Sequence, residues 1–233
     1  MRVFVLLAFA ARLFASACPT APTALSTYIG FGATGCTING EIVDSFAFTV
    51  GSTSGGLSPL TAAAIMVVPT FTASNFQLAF SATGGTTSTG FTVSGSQFAN
   101  YEIDFNWDPL VGGAEDDMVA NSPTNPGSAT VNTDLCVGAL FSPTCSGSPA
   151  TLHVFDDGNP PDNILKADTF FSPVLVIGTQ SFINLSANGA QSTITGFDTS
   201  VFITPEPGGM GLAAAGLLGL AWRGFRRRRQ PVV

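Results

Sequence analysis

The chain has 233 residues, with 15 Asp and Glu against 8 Lys and Arg, 20 Phe and 26 Gly. Lys166 is the only cation between residues 18 and 206, so the middle repels phosphate backbones and anionic lipid, while divalent cations and neutral polysaccharide stay compatible with it. The aromatic content excludes a disordered chain, the scarcity of Glu, Lys, Arg and Gln excludes a helical bundle, and β-branched and aromatic residues punctuated by Gly and Pro favour an all-β domain.

The N-terminal stretch MRVFVLLAFAARLFASAC has a basic start, an apolar run and the step Ala15-Ser16-Ala17. This is the layout of a signal peptide over residues 1–17, removed by signal peptidase. The apolar run is too short for a membrane span and Arg12 interrupts it; the competing reading is a buried helix. Cleavage after Ala17 would leave Cys18 first. A lipoprotein anchored through Cys18 is therefore an alternative, although Ala15 stands where such signals usually carry Leu.

Residues 18–203 are long enough for one secreted domain with a real core. Phe46, Phe48 and Val50 alternate with Ala47 and Thr49, and Phe76, Leu78 and Phe80 with Gln77, Ala79 and Ser81. Val131, Leu135 and Val137 share a parity, Leu152 and Val154 flank His153, and Ile183, Leu185 and Ala187 share another. Residues 190–203 give a last strand or pair. The run Val174 to Ile177 reads as a strand buried on both sides. Turns are expected at Gly84-Gly85, Gly112-Gly113, Pro123 to Gly127 and Gly158 to Pro161. Such short strands predict a single antiparallel β-sandwich of jelly-roll or Ig-like type. Cys18, Cys36, Cys136 and Cys145 form an even set suited to an oxidising compartment. Four cysteines allow three connectivities. The local pairs Cys18–Cys36 and Cys136–Cys145 are preferred, each worth about 3 kcal/mol on the entropic account.

Candidate chemistry is thin. In DFNWDPLVGGAE, Asp104, Asn106, Asp108 and Glu115 fall at calcium-ligand positions of an EF-hand, but Pro109 replaces the Gly that its sharp turn requires. Tyr101, Ile103, Phe105 and Trp107 form an apolar parity instead, which makes Glu102, Asp104, Asn106 and Asp108 a solvent face. FDDGNPPDN holds Asp156, Asp157, Asn159, Asp162 and Asn163, oxygens for calcium or the residues of a turn. His153 stands without a nucleophile motif: GSTSG places Thr53 where Ser is needed, and Asp198-Thr199-Ser200 has no second copy to form a carboxylate pair. Asn184-Leu185-Ser186 matches a glycosylation triplet, read as accidental. No catalytic residue and no metal-ligand set is assigned, and no cofactor is expected, calcium being the one ion the clustered oxygens would suit.

At the C-terminus, Pro205-Glu206-Pro207 precedes Gly208 to Trp222, a segment without charge. As a helix this spans about 22 Å, short of the roughly 30 Å hydrocarbon layer. Arg223, Arg226, Arg227, Arg228 and Arg229 follow, a cytoplasmic stop under the positive-inside rule. Residues 204–229 are thus expected to be a motif, a short transmembrane helix and an Arg cluster, with 230–233 as a tail. This tripartite order resembles the PEP-CTERM sorting signal of Gram-negative bacteria. The resemblance implies recognition of Pro205, Glu206 and Pro207 by an exosortase-type processing enzyme, transient inner-membrane anchoring, then residence in the envelope or outside the cell. Tyr101 to Phe105, Gly127 to Val137 and Leu152 to Asp156 also resemble strands of secreted proteins that carry such tails, a family bringing no enzymatic activity with it. The function expected is a non-catalytic surface or matrix protein associated with exopolysaccharide or biofilm. Its rival is a carbohydrate-binding or carbohydrate-active domain with Trp107 or Tyr101 lining a groove beside paired carboxylates.

Overall fold

A computed structural model of the chain describes residues 15–72, 74–83, 90–108, 110–121, 123, 126–159 and 163–203. The expectations for residues 1–14, for Gly84-Gly85, and for the sorting signal and arginines at 204–233 lie outside these. The described residues belong to the unit that ends at Ile203. Among them, no helix is long and apolar enough to cross a membrane.

Alternation of apolar and polar residues produces most of the strands. In β6 (Asn75–Ala82) and β8 (Phe98–Trp107) burial switches at every residue, as a pleated strand with one face in a core must do. The other strands are β1 (Ser16–Ala17), β2 (Thr23–Ala24), β3 (Cys36–Ile38), β4 (Glu41–Ser54), β5 (Ile65–Phe71) and β7 (Phe91–Gly95) in the N-terminal half. The C-terminal half supplies β9 (Val111–Asn121), β10 (Ser128–Val137), β11 (Ser148–Asp156), β12 (Lys166–Val174), β13 (Ile177–Ser186) and β14 (Ala190–Ile203). A short helix, α1 (Leu25–Gly30), follows β2 and buries Leu25 and Tyr28.

Two seven-stranded sheets result. The first runs β1-β3-β4-β8-β13-β10-β11; the second runs β12-β9-β14-β6-β5-β2, with β7 paired to β14. The long central pairings are antiparallel, and the two-residue β1 pairs in parallel with β3. Their inner faces share one apolar core. Its centre is aromatic: Phe76 lies edge-on to Trp107 at 4.9 Å, Phe80 stacks on Phe197 at 5.0 Å, and Phe46 stacks on Phe105 at 5.5 Å. Each such pair adds about 0.5–1.5 kcal/mol beyond the area it buries. The fold is a two-sheet β-sandwich.

Two sequence expectations are corrected. Val174 to Ile177 is not a strand buried on both sides. Val174 ends β12 and Ile177 opens β13, and Leu175 in the connection between them is 65% exposed; four apolar residues in a row carry no period that separates a buried strand from an exposed turn. Gly112-Gly113 is not a turn but the start of β9. Gly113 is needed for close approach: a Cβ there would lie 2.8 Å from both Phe202 Cδ2 and the Thr169 carbonyl.

Candidate ligand-binding face

Because Tyr101, Ile103, Phe105 and Trp107 point into the core, β8 turns Asn100, Glu102, Asp104 and Asn106 outward. Register then sets polar rows across the outer face of the first sheet. Ala47, Asp104, Gln180, Asp134 and Thr151 stand opposite one another in turn, and Thr49, Glu102, Phe182, Asn132 and His153 form the next row. Neighbours in such rows are close enough to bond. Asn106 donates to Asp44 at 2.9 Å and Thr151 to Asp134 at 2.8 Å. Asn100 Nδ2 donates to Asn184 Oδ1, and His153 Nδ1 meets Asn132 Oδ1.

A cavity of about 310 Å³ opens at one end of this face. Asp104, Asn106 and Gln180 line it from the sheet, Ser45 and Ala47 from β4, and Leu140 and Phe141 from the segment following β10. Each wall has a local cause. Register between β4 and β8 slips between Asp44 and Ala47, and Ser45 takes a φ of 55° there. A bulge re-aims a strand in this way, and a left-handed non-glycine residue costs on the order of 1–3 kcal/mol. On the other side, the segment is tied by the Cys136–Cys145 disulfide. It is laid on β13 by a bond of 3.0 Å from the Gly178 amide to the Ala139 carbonyl. Gly178 permits this contact, since a Cβ would meet Phe141 N at 3.0 Å and Leu140 Cα at 3.1 Å.

Asp104 carries the electrostatics of the cavity. One of its oxygens is buried without a hydrogen-bond partner. Burial raises its pKa to about 7, assisted by the charge and hydrogen bonding of Glu102 and opposed by a hydrogen bond from Gln180. The site therefore presents the Asp104 carboxyl, amides with both donor and acceptor atoms, and an apolar roof.

The remaining candidates fall elsewhere. Tyr101 and Trp107 are 2% and 0% exposed, so neither lines a groove, and the rival reading that used them as platforms is corrected. Asp104 and Asn106 lie on β8 and Glu115 on β9, so the EF-hand spacing belongs to two strands rather than one loop. In the 155–163 stretch, Gly158 N donates to Asp156 and Asn159 N to Asp157, at 2.7 and 2.9 Å, the short-range bonds of a turn; Asp162 lies outside the described residues. Among the described residues no group of three or more His, Cys, Asp or Glu is placed to hold a metal ion. His153 is exposed and stacks on Phe155 at 6.2 Å. Thr53 lies on β4. Asp198 bonds to Gln77 on the outer face of the second sheet, opposite Asp117, and burial raises its pKa to about 6. Cys18 is bonded to Cys36, which commits the sulfur that a lipid anchor would need. Sequence parity alone could have placed Gln180 and Phe182 outward, opposite Ile183 and Leu185. Nothing in the sequence signals that Leu140 and Phe141 fold over them.

Residues 204–228 match the family described as the PEP-CTERM protein-sorting motif. No curated protein matches the chain. Among solved structures, TmCBM61 in complex with beta-1,4-galactotriose is similar at 7% identity, over 68% of this chain and 83% of that one, with a TM-score of 0.27. So slight an overlap carries no ligand across.

Proposed function

We propose that this chain is an exported, non-catalytic protein, sorted through its C-terminal signal and left at the cell surface or in the extracellular matrix. The observation that carries the reading is the PEP-CTERM motif at 204–228, immediately after the last strand of the sandwich. In this account the leader directs export, the apolar segment and its arginines hold the chain briefly in the inner membrane, and an exosortase-type enzyme processes it near Pro205-Glu206-Pro207. The sandwich then resides in the exopolysaccharide layer. Two disulfides, Cys18–Cys36 and Cys136–Cys145, support an oxidising destination. The test is replacement of Pro205, Glu206 and Pro207 by Ala in the producing cell, followed by fractionation. The variant is expected to accumulate in the inner membrane while the parent reaches the outer fractions. Equal release of both would overturn the sorting reading.

A further inference from the structure

We propose that the cavity between the β4 bulge, the outer face of the first sheet and the disulfide-clamped segment is a binding site for a neutral saccharide. Asp104 and Gln180 take its hydroxyls, and Leu140 and Phe141 cover its carbon face. This deepens the surface-matrix reading, on which it rests only for where the saccharide is met.

Three features that are independent in sequence converge on this one space. Ser45 is held at a φ of 55° where β4 bulges away. Cys136–Cys145 and the bare backbone of Gly178 hold the roof down. Asp104, Asn106 and Gln180 set polar groups along its floor. Polar groups on the wall of a half-open space can exchange their water for a ligand's hydroxyls. The volume, about 310 Å³, is at the lower end of the roughly 300–1,000 Å³ range of small-molecule pockets.

Charge and polarity select the class. Asp44, Glu102 and Asp104 lie at or beside the space. Lys166, the only cation among the described residues, is on β12 in the other sheet. A phosphate, sulfate or uronate would enter a negative field with no counter-charge. A metal ion lacks its ligand set among the described residues. An apolar ligand would strip water from Asp104, Asn106 and Gln180 and give them no partner in return. A polyol fits: one hydroxyl donates to Asp104, others exchange donor and acceptor roles with the Gln180 amide, and the C–H face of the ring packs on Phe141. The row of Glu102, Phe182 and Asn132 continues the same mixture of polar and apolar groups toward β10, as a ligand longer than one sugar would need.

The experiment is an array of neutral mono- to hexasaccharides probed with the full chain, followed by calorimetric titration of the best binder. Oligogalacturonate serves as the charged counterpart. Asp104→Ala and Gln180→Ala are each expected to weaken binding by about 10-fold or more, with melting temperatures at or above that of the parent for Asp104→Ala, which removes a partly desolvated acid. Phe141→Ala is expected to weaken it too, and Asp198→Ala on the other sheet to leave it unchanged. Failure of every neutral saccharide to bind, preference for the uronate, or equal binding by the parent and the Asp104 and Gln180 variants would overturn the proposal. These titrations use purified protein, so their failure leaves the sorting test untouched.

Discussion

Asp116 stands opposite Thr199 on the inner face of the second sheet, fully buried, with neither carboxyl oxygen in hydrogen-bonding geometry. Burial raises its pKa to about 7; Thr133 and Thr199 beside it oppose the rise without closing a hydrogen bond, and the charges of Glu115 and Asp198 add to it. Thr133 and Ser181 share a hydroxyl–hydroxyl bond of 2.9 Å. In an unfolded chain the same group titrates near 3.9. The folded state thus holds the proton more tightly, and the group's stability contribution is complete below about pH 4. It falls as pH rises from about 4 to about 7 and changes no further above that. Asp116→Asn, neutral at every pH, is expected to match the parent near pH 4 and to exceed it by on the order of 2–4 kcal/mol near pH 8. Thermal melts across that range check it; parallel profiles for the two proteins would show that the carboxyl is not the group responsible. Trp107 shows the same tolerance of an unmet polar atom, its indole N–H being buried without an acceptor between Phe76 and Phe105.

Between Cys136 and Cys145, nine positions apart in sequence, the covalent link closes a short loop and holds one wall of the cavity. Replacing both cysteines with Ser is expected to cost about 2–3 kcal/mol by the loop-closure relation, measured by denaturant unfolding. Amide exchange at Gly178, whose N–H bonds the loop at Ala139, should quicken before that of neighbouring β13 amides. Unchanged exchange there would mean that the backbone contact, not the disulfide, fixes the roof. Strands such as β6, β8 and β13 were legible in the sequence because a core face imposes a period of two on their side chains. β12 was not: it is an edge strand whose burial alternates only between exposed and half-buried, and its large Phe170 is 69% exposed and stacks on Phe202. The parallel pairing of β1 with β3 also left no trace, since it spans only two residues and depends on where Cys36 brings the chain.

Taken as a molecule, the sandwich carries most of its carboxylates outside, Asp116 and Asp156 excepted, and has little to neutralise them; Lys166, bonded to Glu115 at 2.8 Å, is the only ammonium among the described residues. Self-repulsion of this kind is screened by salt. Raising ionic strength from about 0.01 M to about 0.15 M shortens the screening length from about 30 Å to about 8 Å. The melting temperature is expected to rise by about 2–4 °C, equivalent to about 1 kcal/mol for a domain of this size, and a fall would show that paired charges outweigh repelling ones. The class of fold was legible from composition and alternation, and the sorting motif from the order of residues in the tail. The cavity was not, because it is made by cross-strand register: Asp104 and Gln180 are far apart in sequence and become neighbours only when β8 and β13 pair. One consequence follows from β14, which lies inside its sheet with β6 and β7 on one flank and β9 on the other, and ends at Ile203. A tug applied from the C-terminal side runs lengthwise along this strand. Many ladder bonds must then slip together instead of unzipping singly, so a tethered sandwich resists mechanical extraction in that direction.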